Sequence, residues 1–530
     1  MASGVRRVAA LALAASLTAG CGLVTDNGSS ARGDSIPPRA TTTAPETTGR
    51  PSAPPATAED DVRPGLARYY DQSPDWSSCG GGFECAEVAV PLDYDDPSAD
   101  QISIAVTRLP AEDGDDRIGS LLVNPGGPGG SGIDYVRRAP DVLGSAVRDR
   151  FDVVGFDPRG VGRSEPVECL DDEQLDEFVA ADGSPDTPAE ERAVLQHARE
   201  LAEGCERRSG RLLPHVGTAD AARDMDVLRA VLGDERLHYL GKSYGTFLGA
   251  TYAGLFPSRV GRLVLDGALD PRVRSEDFNR EQAEGFEVAL DAFVRDCLEQ
   301  DDCPLRGTPD EGLAQVDRFL ADVDATPLRG DGERELPQGL AVLGIVAALY
   351  DETRGWPILR QALTQAFAGD GSLLLLLADL YTDRDPSGRY TTNQNEVIYA
   401  VNCVDRPEAG GDIASARRLA EQYERTAPHF GAYLAWSGLA CASWPVRPQG
   451  KPGPIPAKGA APILVVGTTR DPATPYEWAV GLAEQLESGV LLTWDGDGHT
   501  AYQRGSDCVD DVVDDYLIDG KVPAEGTRCR

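Results

Sequence analysis

Short runs of apolar residues alternate with stretches of helical periodicity from about residue 80 onwards. Brief apolar runs between turn signals are typical of buried strands, and intervening helices are typical of a parallel sheet covered on both faces. Eight strands are predicted, near 87–91, 102–108, 120–124, 151–156, 237–241, 262–266, 462–466 and 490–494. The pattern therefore predicts an α/β fold built on an eight-stranded, mostly parallel sheet.

The residues from about 273 to 452 have a different pattern, without such strands. Helical periodicity is clear at 282–299, 340–350 and 356–368. We predict a helical lid (273–452) inserted between the sixth and seventh strands, with the core formed by 66–272 and 453–530. The most apolar pieces of the lid are too short for transmembrane helices, which need about 20 apolar residues.

The first 20 residues have the order of an export signal. Arg6 and Arg7 precede an apolar run from residue 8 to 17, and small residues then lead to Cys21. This order resembles a bacterial lipoprotein signal, in which cleavage frees a cysteine that receives diacylglycerol. Residues 21–65, rich in Ser, Thr, Pro and Ala, are predicted to be a flexible tether. We expect an extracytoplasmic protein, either anchored to the bacterial cell membrane through Cys21 or secreted.

Composition and charge limit the classes of partner. The chain has 530 residues, 41% of them hydrophobic, so it can bury more than one core. Asp and Glu number 87 against 50 Lys and Arg, which gives a net charge of −37. Such a charge repels phosphate backbones and anionic lipid at long range. Nucleic acid is therefore excluded as a partner, and the lipid anchor is the only expected contact with the membrane.

Ten cysteines remain when Cys21 is set aside. An even number in an exported chain indicates disulfide bonds. Pairing in sequence order would join 79 to 85, 169 to 205, 297 to 303, 403 to 441 and 508 to 529, although the sequence leaves other connectivities open. A zinc site is disfavoured, because the chain has no Cys-x-x-Cys and only five histidines.

The strongest local motif is Gly-Lys-Ser-Tyr-Gly at 241–245. It follows a predicted strand and opens a helical pattern, as the Gly-x-Ser-x-Gly nucleophile elbow requires. Small residues at both ends permit the sharp turn, which projects the hydroxyl of Ser243 above the edge of the sheet. The competing interpretation is a chance match in a chain with 58 glycines, but it does not explain the flanking strand and helix.

A serine hydroxyl needs an imidazole base and a carboxylate that orients the imidazole. Of the five histidines, only His499 follows the last predicted strand, where the chain order Ser, Asp, His places the base. Asp471 follows the preceding strand and is the predicted carboxylate. Asp495 and Asp497 are closer to His499 in sequence, but they lie in Asp-Gly pairs that form turns without any catalytic role.

Acyl transfer also needs backbone N–H groups that stabilise an oxyanion. One is predicted from Tyr244, directly after the nucleophile, and the other from the glycine-rich loop 124–132. A phosphate-binding loop is the alternative interpretation of these glycines. The loop lacks the Gly-Lys-Ser/Thr ending and the dinucleotide spacing, so we favour the oxyanion role.

Several motifs in order resemble the actinobacterial secreted tripeptidyl aminopeptidases, which are relatives of proline iminopeptidase in the α/β-hydrolase superfamily. They are Asn-Pro-Gly-Gly-Pro-Gly at 124–129, Asp-Pro-Arg-Gly-Val-Gly-Arg-Ser at 157–164, the elbow, Asp-Pro-Ala-Thr-Pro at 471–475, and lid motifs at 356–357, 369–371 and 399–405. Pro125 departs from the proline iminopeptidases, which usually carry His there. The resemblance implies an α/β-hydrolase with an inserted lid, and it implies Gly127 as the second oxyanion donor, with Gly126 as the alternative.

The resemblance also implies a serine peptidase that acts on peptides with a free N-terminus, without metal or organic cofactor. A substrate ammonium buried under the lid must meet a carboxylate. Glu396 and Asp405 are the predicted anchors, because they flank the apolar segment 397–401 and Asp405 follows Cys403. The alternative, that both are surface or capping acids, remains open. An esterase with the same machinery and a lipoprotein that presents peptides to a transporter are the alternative functions.

Overall fold

The computed structural model describes residues 65–407 and 411–530. The predicted signal (1–20), Cys21 and all but the last residue of the predicted tether lie outside the described residues. The described strands are β1 (Ser77–Ser78), β2 (Glu84–Pro91), β3 (Gln101–Leu109), β4 (Gly119–Asn124), β5 (Phe151–Phe156), β6 (Leu237–Lys242), β7 (Val260–Asp266), β8 (Leu328–Arg329), β9 (Glu335–Leu336), β10 (Ile463–Arg470), β11 (Gly489–Asp497) and β12 (Arg528–Cys529).

The described helices lie before, between and after these strands. They are α1 (Ala67–Tyr70), α2 (Gly132–Val136), α3 (Ala139–Val142), α4 (Ser145–Arg150), α5 (Asp172–Val179), α6 (Pro188–Ser209), α7 (Thr218–Val231), α8 (Tyr244–Leu255), α9 (Ser275–Glu299), α10 (Pro309–Ala325), α11 (Gln338–Leu349), α12 (Gly355–Phe367), α13 (Ser372–Tyr381), α14 (Gln394–Asp405), α15 (Ile413–Tyr423), α16 (Gly431–Ser437), α17 (Leu439–Ala442), α18 (Tyr476–Gln485) and α19 (Asp507–Asp519). In the described ranges, none of them is both long and apolar enough to span a bilayer.

Ten strands form one sheet in the order β1-β2-β3-β5-β4-β6-β7-β10-β11-β12. The pairs β1–β2, β2–β3 and β3–β5 are antiparallel, and the pairs from β5 to β12 are parallel. The predicted mostly parallel sheet of an α/β fold is therefore confirmed, and each of its eight predicted strands is present. The prediction missed the edge strands β1 and β12, because two residues are too few to carry a hydrophobic pattern.

The core lies on both faces of the sheet. Leu121 and Val123 of β4 face one apolar cluster, with helices α2, α3, α4 and α19. Leu122, between them, faces the opposite cluster, with helices α7, α8 and α18. The alternation follows from the two-residue period of a strand. Because both faces are covered, β4 and β5 are buried at every residue, which explains their continuous apolar runs.

The helical lid consists of two parts. Helices α9 to α13 surround an apolar cluster of their own, which includes Phe293, Leu349 and Trp356. Helix α14 instead buries Val397 and Val401 in the cluster on the core sheet. The lid also contains the small antiparallel pair β8–β9, which the sequence analysis did not predict. The second part of the lid, which contains α14, therefore packs as a layer of the core, close to the carboxyl ends of the central strands.

The described part of the chain contains five disulfide bonds, and each joins neighbouring cysteines in sequence order. The pairs are Cys79–Cys85, Cys169–Cys205, Cys297–Cys303, Cys403–Cys441 and Cys508–Cys529. This is the sequential pairing named above. The first and last bonds lie at β1–β2 and at β12, so they hold the two short edge strands that the sequence pattern did not reveal.

A buried histidine joins three segments of the lid. His429 Nδ1 lies 2.5 Å from Glu287 Oε1 of α9, and its Nε2 lies 3.0 Å from Asp317 Oδ1 of α10. Burial by itself would lower the pKa of His429. The hydrogen bond and charge of Glu287, together with the charge of Asp317, outweigh burial and raise this pKa above its ordinary value.

We expect the lid to lose stability as the pH rises through the raised pKa of His429. The folded state binds this proton more tightly than the unfolded state, so the stabilisation is complete below the unfolded pKa of about 6.5 and disappears above the folded pKa. The measurement is urea unfolding of the wild type and His429→Gln at pH 5.5 and pH 8.5. The wild type should lose more free energy of unfolding between the two pH values than the variant does. Equal losses would contradict the prediction.

Candidate active site

Ser243 lies at the turn between β6 and α8, at the carboxyl edge of the sheet. Its backbone has φ +55°, in the left-handed region, and its side chain is partly exposed. The turn requires its glycines, since a Cβ at Gly241 would lie 2.3 Å from Gly245 O and a Cβ at Gly245 would lie 2.8 Å from Asn124 Oδ1. The local geometry is that of a nucleophile elbow, with the hydroxyl presented at the N-terminus of a helix.

His499 and Asp471 are in direct contact. His499 Nδ1 lies 2.8 Å from Asp471 Oδ1 and 3.0 Å from Oδ2. The carboxylate also accepts hydrogen bonds from the backbone N–H groups of Ala473, Thr474 and Thr500, so its oxygens are satisfied although it is buried. An imidazole that donates from Nδ1 to this carboxylate carries its lone pair on Nε2, as a general base requires.

The other four histidines have different environments. His238 Nδ1 accepts the backbone N–H of Arg262, and burial, helped by the charge of Arg262, lowers the pKa of His238 to about 4. His429 is paired within the lid. The carbonyl of His215 accepts a hydrogen bond from Arg159, and His197 lies on α6. His499 is therefore the histidine that the structure places beside a carboxylate at the carboxyl edge of the sheet.

Two residues that sequence reasoning missed connect the serine and histidine loops. The backbone carbonyl of Asp266 accepts the N–H of Ser243 at 2.9 Å. The Asp266 carboxylate accepts the N–H groups of Ala501 at 2.8 Å and Tyr502 at 3.1 Å. Lys242 Nζ lies 3.4 Å from this carboxylate and donates to Tyr502 O at 2.6 Å. The sequence offers one indication of the role of Asp266, which directly follows the apolar strand residues Leu-Val-Leu at 263–265. The structure shows that this Asp is buried.

The glycine-rich loop lies directly against the elbow. A Cβ at Gly126 would lie 2.5 Å from Lys242 O and 3.1 Å from Tyr244 N, so only glycine fits there. The N–H of Gly126 donates to Asn124 Oδ1 at 2.9 Å. The N–H of Gly127 has no acceptor within the described ranges. The N–H of Tyr244 opens α8 and is one of the amide groups that a helix leaves without an internal partner. Gly127 and Tyr244 thus remain the donors available to an oxyanion.

The lid covers the Asp471–His499 pair from two sides. The N–H of His499 donates to Tyr350 O at 3.0 Å, and the two rings pack edge to face with centroids 5.1 Å apart. On the other side, α9 lies against the turn after Asp471, where Gln282 Nε2 donates to Ala473 O at 2.8 Å. These contacts keep the side chains of His499 and Asp471 buried.

The structure favours the capping alternative for the two predicted amine anchors. Glu396 Oε1 accepts the backbone N–H groups of Cys169 at 2.6 Å and Leu170 at 2.8 Å. Asp405 accepts the N–H of Thr218 at 2.8 Å and thereby caps α7. Burial raises the pKa of Asp405 to about 6. The carboxylates of Glu396 and Asp405 thus accept hydrogen bonds from backbone groups of the core, and their role as amine anchors stays a prediction.

Within residues 65–407 and 411–530, no group of three or more His, Cys, Asp or Glu side chains is arranged to hold a metal ion. The chemistry available at this edge of the sheet is that of a serine nucleophile, an imidazole base held by a carboxylate, and two free backbone donors. That set performs acyl transfer.

Comparison with known proteins identifies relatives of this chain. The family model described as TAP-like protein matches residues 427–529. Serine protease Hip1 of Mycobacterium tuberculosis is 38% identical over 465 residues, which cover 85% of this chain and 88% of that protein. A protein named carboxylesterase B from the same species is 40% identical over 457 residues, covering 84% and 86%. Tripeptidyl aminopeptidase of Streptomyces lividans is 35% identical over 473 residues, covering 86% of each chain.

Proposed function

Because this chain belongs to the α/β-hydrolase family that includes the mycobacterial protease Hip1 and the Streptomyces tripeptidyl aminopeptidase, we propose that it is a serine peptidase that releases tripeptides from free N-termini. The observation that carries the proposal is the contact of His499 Nδ1 with Asp471 Oδ1 at 2.8 Å, anchored through Asp266 to the loop that carries Ser243. The five disulfide bonds support an extracytoplasmic location, since such bonds persist in oxidising compartments.

In the proposed mechanism, Ser243 Oγ attacks the carbonyl carbon of the scissile bond while His499 Nε2 accepts the hydroxyl proton. Asp471 holds the imidazole and stabilises its protonated form. The N–H groups of Tyr244 and Gly127 bind the oxyanion of the tetrahedral intermediate. His499 then donates the proton to the leaving amine, which yields an acyl-enzyme. Water, activated by His499, attacks the acyl carbonyl and releases the N-terminal fragment together with free Ser243.

A second candidate is a carboxylesterase, which the relative named carboxylesterase B favours. Esters are easier to cleave than amides, and the same triad serves both reactions. The two candidate activities differ in what they require of the substrate. An aminopeptidase must recognise a free amine, whereas an esterase does not require one.

We expect the wild-type protein to hydrolyse free-amine peptides much faster than their N-acetylated counterparts. Acetylation removes the positive charge that a buried carboxylate would bind, and a lost charged hydrogen bond costs about 10- to 100-fold in kcat/KM. The measurement is kcat/KM on matched peptide pairs, with mass spectrometry of the products. Tripeptides should be the first fragments released.

Equal rates on both members of each pair would contradict the aminopeptidase proposal and favour an esterase or endopeptidase. Labelling of the chain by a fluorophosphonate separates all enzymatic alternatives from a peptide-presenting lipoprotein, because only an activated serine reacts. Ser243→Ala is the matched control, and it should not label.

A further inference from the structure

A cavity of about 300 Å³ lies between the lid and helices α5 and α6 of the core. Its walls are mainly apolar and include Phe178, Leu343, Ile398 and Tyr399. Asp182, in the loop between α5 and α6, lines the same cavity. A concave apolar site with a few polar groups is the usual form of a small-ligand pocket.

The cavity is adjacent to the reacting groups along helix α14. Gln394 and Val397 of α14 lie against Gly129 of the glycine-rich loop, since a Cβ at Gly129 would be 3.2 Å from Gln394 Cα and Val397 Cβ. Ile398 and Tyr399, the next two residues of the same helix, line the cavity. Helix α14 therefore contacts both the glycine-rich loop and the cavity.

A second path links the cavity to the histidine. Tyr381 lines the cavity, and its hydroxyl lies 3.4 Å from that of Tyr350. The ring of Tyr350 packs on His499. The cavity thus approaches the reaction centre from the side of the oxyanion loop and from the side of the base.

Asp182 is an acid without a cation partner. One of its oxygens accepts the N–H of Ser184 at 2.8 Å, and in the described part of the chain it forms no salt bridge with Lys or Arg. Burial, together with the charges of Asp324, Glu190 and Asp186, raises the pKa of Asp182 to about 6. An ammonium group in the cavity would offset this unfavourable environment, because a nearby cation stabilises a partly desolvated carboxylate.

We propose that the cavity receives the N-terminal residue of the peptide and that Asp182 pairs with its ammonium group. The inference rests on the proposed function and deepens it, since it assigns the amine anchor to the core loop between α5 and α6 rather than to Glu396 or Asp405.

The test measures kcat/KM of Asp182→Asn on a tripeptide p-nitroanilide with a free amine and on its N-acetyl form. Asparagine keeps the acceptor for Ser184 N–H and removes the charge. We expect a loss of about 10- to 100-fold on the free amine and little change on the acetylated substrate. Asp186→Asn is the matched control, because it removes an exposed charge of the same loop that does not line the cavity.

The outcomes are distinct. If the wild type prefers free amines and Asp182→Asn keeps that preference, the anchor is wrong while the aminopeptidase proposal stands. Equal losses in Asp182→Asn and Asp186→Asn would also overturn the anchor, because they would reflect the general negative field of the loop. A wild type without preference for free amines would overturn the proposed function itself.

A second variant tests the cavity without touching the charge. Leu343→Trp fills the space, so hydrolysis of the tripeptide p-nitroanilide should fall at least tenfold, while hydrolysis of p-nitrophenyl acetate, which is too small to reach the cavity, should change less than about twofold. Unchanged peptide hydrolysis, or an equal loss on both substrates, would overturn the assignment of the cavity.

Discussion

Ser243→Ala is expected to lower kcat for peptide hydrolysis by about 10⁴- to 10⁶-fold, with no loss of folding stability beyond about 1 kcal/mol. The large effect follows from the loss of the only nucleophile that the elbow presents. The small structural cost follows from the position of the side chain, which is partly exposed and makes no capping hydrogen bond to α8. Initial rates at high enzyme concentration, with a thermal unfolding curve beside them, measure both quantities.

His499→Ala should give a loss of similar size, because nucleophile and base act as one unit and their effects are not additive. The double variant should therefore be no slower than either single variant. His238→Ala is the matched control, since His238 is held by the backbone N–H of Arg262 on the neighbouring strand. An active His499→Ala together with an inactive His238→Ala would refute the assignment of the base.

The strands that position the site could be predicted because parallel strands buried on both faces are rich in apolar residues. β4 and β5 show this directly, since every residue in them is buried. The elbow could be predicted for a related reason: its two glycines are fixed by contacts with Gly245 O and Asn124 Oδ1 that no side chain would permit. Steric requirements of this kind determine which residue types occur at neighbouring positions, so they can be recognised in the sequence.

Polar contacts between segments that are distant in the sequence produce no local pattern by which they could be predicted. The carboxylate of Asp266 is 235 residues away in sequence from Ala501, whose N–H it accepts. Glu396 is 227 residues from Cys169. The sequence around Glu396 and Asp405 is compatible with two roles, which are binding of a substrate amine and capping of backbone N–H groups in the core. The packing of α14 on the core reveals the backbone hydrogen bonds of both carboxylates, which the sequence could not show.

The Asp-Pro-Arg motif after β5 is recognisable in the sequence, but the sequence did not reveal which residue its arginine pairs with. Arg159 is buried, and its Nε and Nη2 each lie 2.7 Å from the carboxylate of Asp224 on α7. Its remaining donors reach the carbonyls of Pro91, Leu92 and His215. The guanidinium thus joins β2, the segment before α7, and α7 itself, below the loop that carries the oxyanion donors.

We expect Arg159→Met to lower the free energy of unfolding by about 3–5 kcal/mol, among the largest costs of any single substitution in this protein. Methionine fills a similar volume, but it leaves the carboxylate of Asp224 buried without its counter-charge and three carbonyls without donors. The double variant Arg159→Met/Asp224→Asn removes the unpaired charge, so it should be more stable than the sum of the two single changes by about 1–3 kcal/mol. Urea unfolding of the four proteins in this cycle measures the coupling. Additive costs, or a loss below about 1 kcal/mol for Arg159→Met, would show that the pair contributes hydrogen bonds alone and that the charge of Asp224 is not trapped.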